Sequence, residues 1–115
     1  MHENGLRIVT SQEAVALDQR AQTEFNLSPE ILMENAGGIA TAILLREYPH
    51  AGVETEVVCL GGRGNNAGDA FVVARRLLSD GRRVRVFHLA PTYSGAAGRN
   101  FEVLKNLRAK MTHLE

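Results

Sequence analysis

The chain has 115 residues, 44% of them hydrophobic and 23% charged, a composition that fits one globular domain. Its 13 basic and 13 acidic side chains cancel, so no net field recruits nucleic acid or an anionic membrane. A single cysteine, Cys59, excludes an internal disulfide and cannot form a zinc site alone; set in an apolar run, it reads as a small buried hydrophobe. No apolar stretch approaches the roughly 18 residues of a membrane span. The opening "MHENGLRIVT" lacks a hydrophobic signal core, so a reducing cytoplasm or organelle matrix is the expected location.

In chain order, Ser11 precedes "QEAVALDQRAQTEF", a weakly amphipathic first helix. Ser28 then reads as an N-cap and Pro29 as a first helical residue, whose missing N–H would have had no partner there. Ile31, Leu32, Ala36, Ile39, Ala40, Ile43 and Leu44 recur at helical spacing up to Tyr48, and Pro49 stops the run. "TEVVCLGG" is continuously apolar and suits a parallel strand buried on both faces. A third helix spans about Asn66 to Asp80, with Gly81 as its cap. "RVRVFHLA" predicts a second strand, and "AAGRNFEVLKNLRAKM" a fourth helix with Phe101, Leu104 and Leu107 on one stripe. Arg75, Arg76, Arg82, Arg83 and Arg85 fall close together and read as a solvated helix end and strand edge.

Strand, glycine turn, helix, strand, helix is the start of a doubly wound α/β sheet with right-handed crossovers. The expected fold is a Rossmann-like three-layer α/β sandwich, truncated to two parallel strands with flanking helices and two N-terminal helices. Only "THLE" follows the fourth helix, so residues 1–115 are expected to be half a domain.

Ligands of such sheets collect at the carboxyl ends of the strands, which is where the turn "GGRGNNAGDAF" falls. Gly62 to Ala67 formally satisfies G-x-G-x-x-A, but the second strand ends in Phe87, His88, Leu89, Ala90 and Pro91, without the ribose-binding acid of a dinucleotide fold. Asp69 in the first helical turn would also compete with a pyrophosphate for the helix dipole. A Walker loop is excluded because no Lys-Ser or Lys-Thr pair follows the glycines. Two asparagines and an aspartate beside glycine-freed N–H groups instead suit a polar ligand with donors and acceptors, and amide carbonyls suit a hard cation. Helix capping by Asn65 or Asn66, with Asp69 on the dipole, explains one such residue more readily than all of them.

"MENAG" (Met33 to Gly37) followed by "GGRGNNAGDAFVVAR" (Gly61 to Arg75) resembles the NAD(P)H-hydrate epimerase family, the YjeF N-terminal domain. The leading-helix pattern is matched by Glu13 to Asp18, and the resemblance spans essentially the whole chain. It implies a Rossmann-like fold and an isomerase that interconverts the R and S epimers of NAD(P)HX, the hydrated, damaged nicotinamide cofactor, for metabolite repair. It further implies that Asn65, Asn66, Ala67, Gly68 and Asp69 contact the nucleotide and that Asn66 holds a potassium ion. Asp69 becomes the best-placed acid–base group and His88 a distant second, while Glu34 and Asn35 are candidates to face the same cleft.

Two departures stand out. Ala67 and Ala70 replace family glycines, and a methyl at Ala67 costs of order 1 kcal/mol or more if the turn requires positive φ there. The family's other potassium-binding aspartate, its phosphate segment and its acidic strand end have no counterpart here. The chain alone is therefore expected to be inactive and to pair as a homo-oligomer or with a complementing second half. A non-catalytic binding or scaffold module of the same fold is the alternative. No nucleic acid or membrane partner is expected.

Overall fold

In a computed structural model, the described residues are 2–3, 6–7, 10–64 and 66–115. A short antiparallel pair, β1 (His2–Glu3) and β2 (Leu6–Arg7), precedes four helices and a three-stranded sheet. α1 (Ser11–Glu24) is capped one residue earlier than the sequence suggests. The Thr10 hydroxyl accepts from the Glu13 N–H at 3.1 Å, and the Glu13 carboxylate accepts from the Thr10 N–H at the same distance. This reciprocal capping box satisfies two donors that a helix start otherwise leaves unpaired. α2 (Pro29–Glu47) starts as expected, with the Ser28 hydroxyl accepting from the Ile31 N–H at 3.2 Å.

β3 (Val57–Gly61), α3 (Asn66–Ser79), β4 (Val84–His88), α4 (Gly95–Asn106) and β5 (Lys110–His113) follow. The strands are parallel in the order β3-β4-β5, with Cys59 opposite Val86 and Val86 opposite Met111. The α/β Rossmann-like class is the one expected, but two details differ. The sheet has a third parallel strand, β5, which takes Lys110 and Met111 from the expected tail of α4 and Thr112 and His113 from the segment expected to follow it. The helix ends early because Arg108 turns left-handed (φ 57). The Ala109 N–H then donates to the Leu104 carbonyl and the Arg108 N–H to the Lys105 carbonyl, a Schellman closure without glycine. α3 ends by the same closure, there with Gly81 at φ 76.

The second difference concerns the layers. α3 and α4 pack on each other and on one sheet face, where Cys59, Val84 and Val86 meet Phe71, Leu77, Phe101 and Leu104. Burial pushes the Cys59 thiol up to about 11, which keeps it an inert core residue. On the other face Val58 and Leu60 remain 58% and 59% exposed. β3 is therefore buried on one face only among the described residues.

α2 packs on α3 through the small residues Gly37 and Thr41, and of its apolar stripe Leu44 reaches the core. Gly37 lies so close to Val72 that a Cβ there would collide with it, and the Thr41 hydroxyl donates to the Gly37 carbonyl at 2.7 Å. Ile31, Ile39 and Ile43 stay exposed. The clustered arginines hold chain segments together: Arg82 donates to the Pro49 and Ala51 carbonyls at 2.8 Å, Arg83 to Val53, and Arg85 to Glu56.

Candidate functional site

The glycine turn leaves the carboxyl end of β3 and enters α3 directly, so the first turn of α3 lies at the end of the sheet where ligands of this fold class bind. Ala67 lies inside α3, fully buried and without positive φ, so its methyl is accommodated as core and the strain considered above does not arise. Gly68 faces Met33 of α2 and the Ala97 backbone of α4, and a side chain would have no space there. These two residues fix the helix start against its neighbours. Asn65 lies outside the described residues.

Asn66 and Asp69 open onto a cleft of about 610 Å³ whose other walls come from α1, α2 and α4. α1 contributes Asp18 and Gln22, one helical turn apart on the same side. α2 and α4 contribute Glu30 and Arg99, which form an ion pair with each other. The side-chain amide of Asn66 makes no hydrogen bond to the described residues and is exposed, so its oxygen is available to a cation or a ligand donor. Among the described residues no group of three His, Cys, Asp or Glu side chains is placed to hold a metal ion. The cleft's oxygen donors are chemically suited to a hard cation, but they do not complete a shell by themselves.

The pKa of Asp69 is raised above the ordinary aspartate value, first by burial and then by the negative charge of Asp18. Tyr93, from the loop between β4 and α4, donates to the Gly62 carbonyl at 2.6 Å and receives the Ala90 N–H at 3.2 Å. It therefore ties the glycine turn to the end of the neighbouring strand. No motif marks Tyr93 in the sequence, because its partner is a backbone carbonyl 31 residues away.

The other sequence candidates go elsewhere. His88 is buried at the end of β4, its Nδ1 lies 2.7 Å from the Ala90 carbonyl oxygen, and its ring packs on Phe101 and stacks with His113. It does not line the cleft. Glu34 clamps Arg75 and Arg76 of α3. Burial pushes its pKa up, but the hydrogen bonds and charges of the two arginines outweigh that and hold it below the usual carboxylate range. Arg75 also donates to Asn100, which links α2, α3 and α4. Asn35 borders a separate, shallower depression with Ile31.

The family described as YjeF-related protein N-terminus matches residues 29–115. The NAD(P)H-hydrate epimerase of Elusimicrobium minutum is 34% identical over 110 residues, which are 95% of this chain and 48% of that protein. The NAD(P)H-hydrate epimerase of Rhodopirellula baltica is 38% identical over 84 residues, 73% of this chain and 33% of its own length. The bifunctional NAD(P)H-hydrate repair enzyme Nnr of Moorella thermoacetica is 35% identical over 106 residues, 90% of this chain and 20% of that protein. The crystal structure of yeast ynu0 superposes with a TM-score of 0.83 at 24% identity, over 94% of this chain and 47% of that one, and shows the shared fold. The chain thus spans about half, or less, of the length of these relatives. No helix among the described residues is long and apolar enough to cross a membrane.

Proposed function

This chain belongs to the family of YjeF-related N-terminal domains, and from that premise we propose that its cleft takes part in epimerising R- and S-NAD(P)HX, a repair of hydrated nicotinamide cofactor. The observation that carries this reading is the opening of Asn66 and Asp69, from the turn "GRGNNAGD", onto one cleft of mixed polar and apolar lining at the carboxyl end of the sheet. The names of the relatives supply the ligand class.

The two epimers have the same composition, so interconversion needs a proton given and returned and no external oxidant. Asp69 is the group on the cleft suited to that exchange, since its raised pKa keeps a proton available further toward neutral pH than an ordinary aspartate would. Asn65 and Asn66, with the backbone of Ala67 and Gly68, form the nucleotide-contacting stretch, reading ring and ribose hydroxyls through amide donors and acceptors. A potassium ion held through the Asn66 amide oxygen would supply positive charge beside an anionic nucleotide.

We read residues 1–115 as the N-terminal part of the functional domain, with further site groups supplied by residues outside it. The open sheet face around Val58 and Leu60 supports association, because exposed contiguous apolar strand surface attracts a covering layer. Light scattering of the purified chain is expected to show association, together with no epimer interconversion above the spontaneous rate. A monomer that interconverts the epimers would place all of the catalytic groups within these residues.

The binding reading is tested by ligand-detected NMR of the chain with NADPHX epimers, in potassium and in tetramethylammonium. Binding is expected to be stronger in potassium, and Asn66→Ala is expected to abolish that difference. Equal affinity in both cations before and after mutation removes the cation assignment. Absence of binding to the native chain favours the scaffold module instead.

A further inference from the structure

The parallel register sets Gly61 of β3 beside His88 of β4, and His88 beside His113 of β5, in one row across the carboxyl end of the sheet. The middle residue of this row is held in place. His88 is buried, its Nδ1 donates to the Ala90 carbonyl at 2.7 Å, and its ring meets that of Phe101 edge-on at 4.9 Å. A carbonyl oxygen only accepts, so Nδ1 carries the proton. The His113 ring lies almost parallel to that of His88, 7° apart in plane with centroids 5.3 Å apart, an offset stack. His113 is exposed, and its outer face meets no other ring among the described residues. A buried, fixed ring therefore backs a flat one that is open to solvent.

We propose that His113 is the stacking platform for the purine base of the ligand, which lies across the strand ends with its hydrated ring in the cleft and its adenine on β5. This deepens the functional reading above and rests on it for the identity of the ligand. Exposed aromatic rings take nucleic-acid bases face to face, because every base has a π-face whatever its edge presents. Reduction and hydration leave the nicotinamide ring of NAD(P)HX puckered and without an aromatic face. Adenine is the ligand's flat aromatic group, so the platform selects that end. The spacing agrees. Adjacent strands lie about 4.8 Å apart, which puts the end of β5 roughly 10 Å from the end of β3, where the glycine turn starts. Two nucleotides joined through a pyrophosphate are longer than that. The missing acid at the end of β4 does not oppose this placement, since stacking reads the base and not the ribose hydroxyls. His88 acts through His113, as a positioning residue that keeps the platform flat against the sheet end.

The test is ligand-detected NMR of the chain with AMP and with ribose 5-phosphate, which carries the phosphate but no base. AMP is expected to bind more tightly than ribose 5-phosphate, its base protons shifted upfield by the ring current of the stacked imidazole. His113→Ala is expected to weaken AMP binding about five-fold or more, the loss of one stacked base. His113→Tyr, which puts back a flat ring, is expected to recover it. His113 is exposed at the end of β5, so both variants leave the core in place, and the amide spectrum checks that. Equal binding of the two probes, or AMP binding indifferent to His113→Ala, overturns the proposal. A tyrosine variant as weak as the alanine variant does the same. NADPHX is expected to follow AMP through both variants. NADPHX binding unchanged by His113→Ala overturns the proposal and leaves the functional reading standing. AMP binding as expected without any NADPHX binding keeps the base platform and loses the functional reading.

Discussion

α1 and α3 are helices of equal length, 14 residues each, and both line the cleft, yet they are held by different forces. α3 buries Ala67, Gly68, Phe71, Val72, Ala74 and Leu77 between α2, α4 and the sheet. α1 buries none of its residues. Its order comes from local devices: the Thr10–Glu13 capping box, an Arg20–Glu24 pair one turn apart, and a stop at Asn26 (φ 56), after which the Leu27 N–H donates to the Ala21 carbonyl. One wall of the cleft is therefore fixed by tertiary packing and the other by short-range capping. A ligand entering between them meets a rigid floor and a wall whose displacement costs little burial.

The comparison is broken most directly in the core. Phe71 is fully buried and packs on the rings of Tyr93 and Phe101 at 4.9 and 5.3 Å. Phe71→Ala is expected to cost about 3–5 kcal/mol in a urea melt, a large fraction of a small domain's stability. A loss below about 1 kcal/mol, of the size typical for surface changes, would show that α3 is not the structural centre.

A smaller effect separates local from global stability. Thr10→Ala is expected to weaken α1 by about 1 kcal/mol, the usual value of a lost N-cap. Amide exchange in residues 11–24 should speed up while the urea midpoint of the remaining fold stays in place. A matching drop in the global midpoint would mean that α1 is coupled to the core through contacts other than those seen here.

The smallest stability effect is expected at the meeting point of the two walls. An acid whose folded pKa is raised stabilises the fold below its unfolded value, and that contribution is lost as pH rises through the folded one. Asp69→Asn removes the cost of ionising this group in the fold, so its urea midpoint at pH 7 should equal or exceed that of the native chain. The difference should shrink as pH falls toward about 4, near the ordinary aspartate value. NADPHX binding, by contrast, should weaken. A melting-temperature loss of tens of degrees with intact affinity would identify Asp69 as a structural helix-start acid.

Much of this chain is written locally. Ser28, Pro29 and Pro49 bound α2, Gly81 ends α3 in a left-handed turn, and the glycine turn marks the carboxyl end of β3. These signals are legible because capping, fixed φ and left-handed glycine are properties of a few neighbouring residues. The pair of motifs from Met33 to Gly37 and from Gly61 to Arg75 likewise reveals the family without reference to the fold.

What only the tertiary structure decided depends on partners far away in sequence. β5 is a strand because β4 offers it a row of backbone donors and acceptors, while its first two residues, Lys110 and Met111, continue a helical pattern. That helix stops at Arg108, which adopts the left-handed turn that glycine would have advertised. The packing face of α2 is Gly37 and Thr41 rather than its isoleucines, because close approach to Val72 is decided by the neighbouring helix. The approach of Asp18 to the cleft is of the same kind: a polar residue on an exposed helix face carries no periodic signal, and only the tertiary structure brings its charge to bear on Asp69.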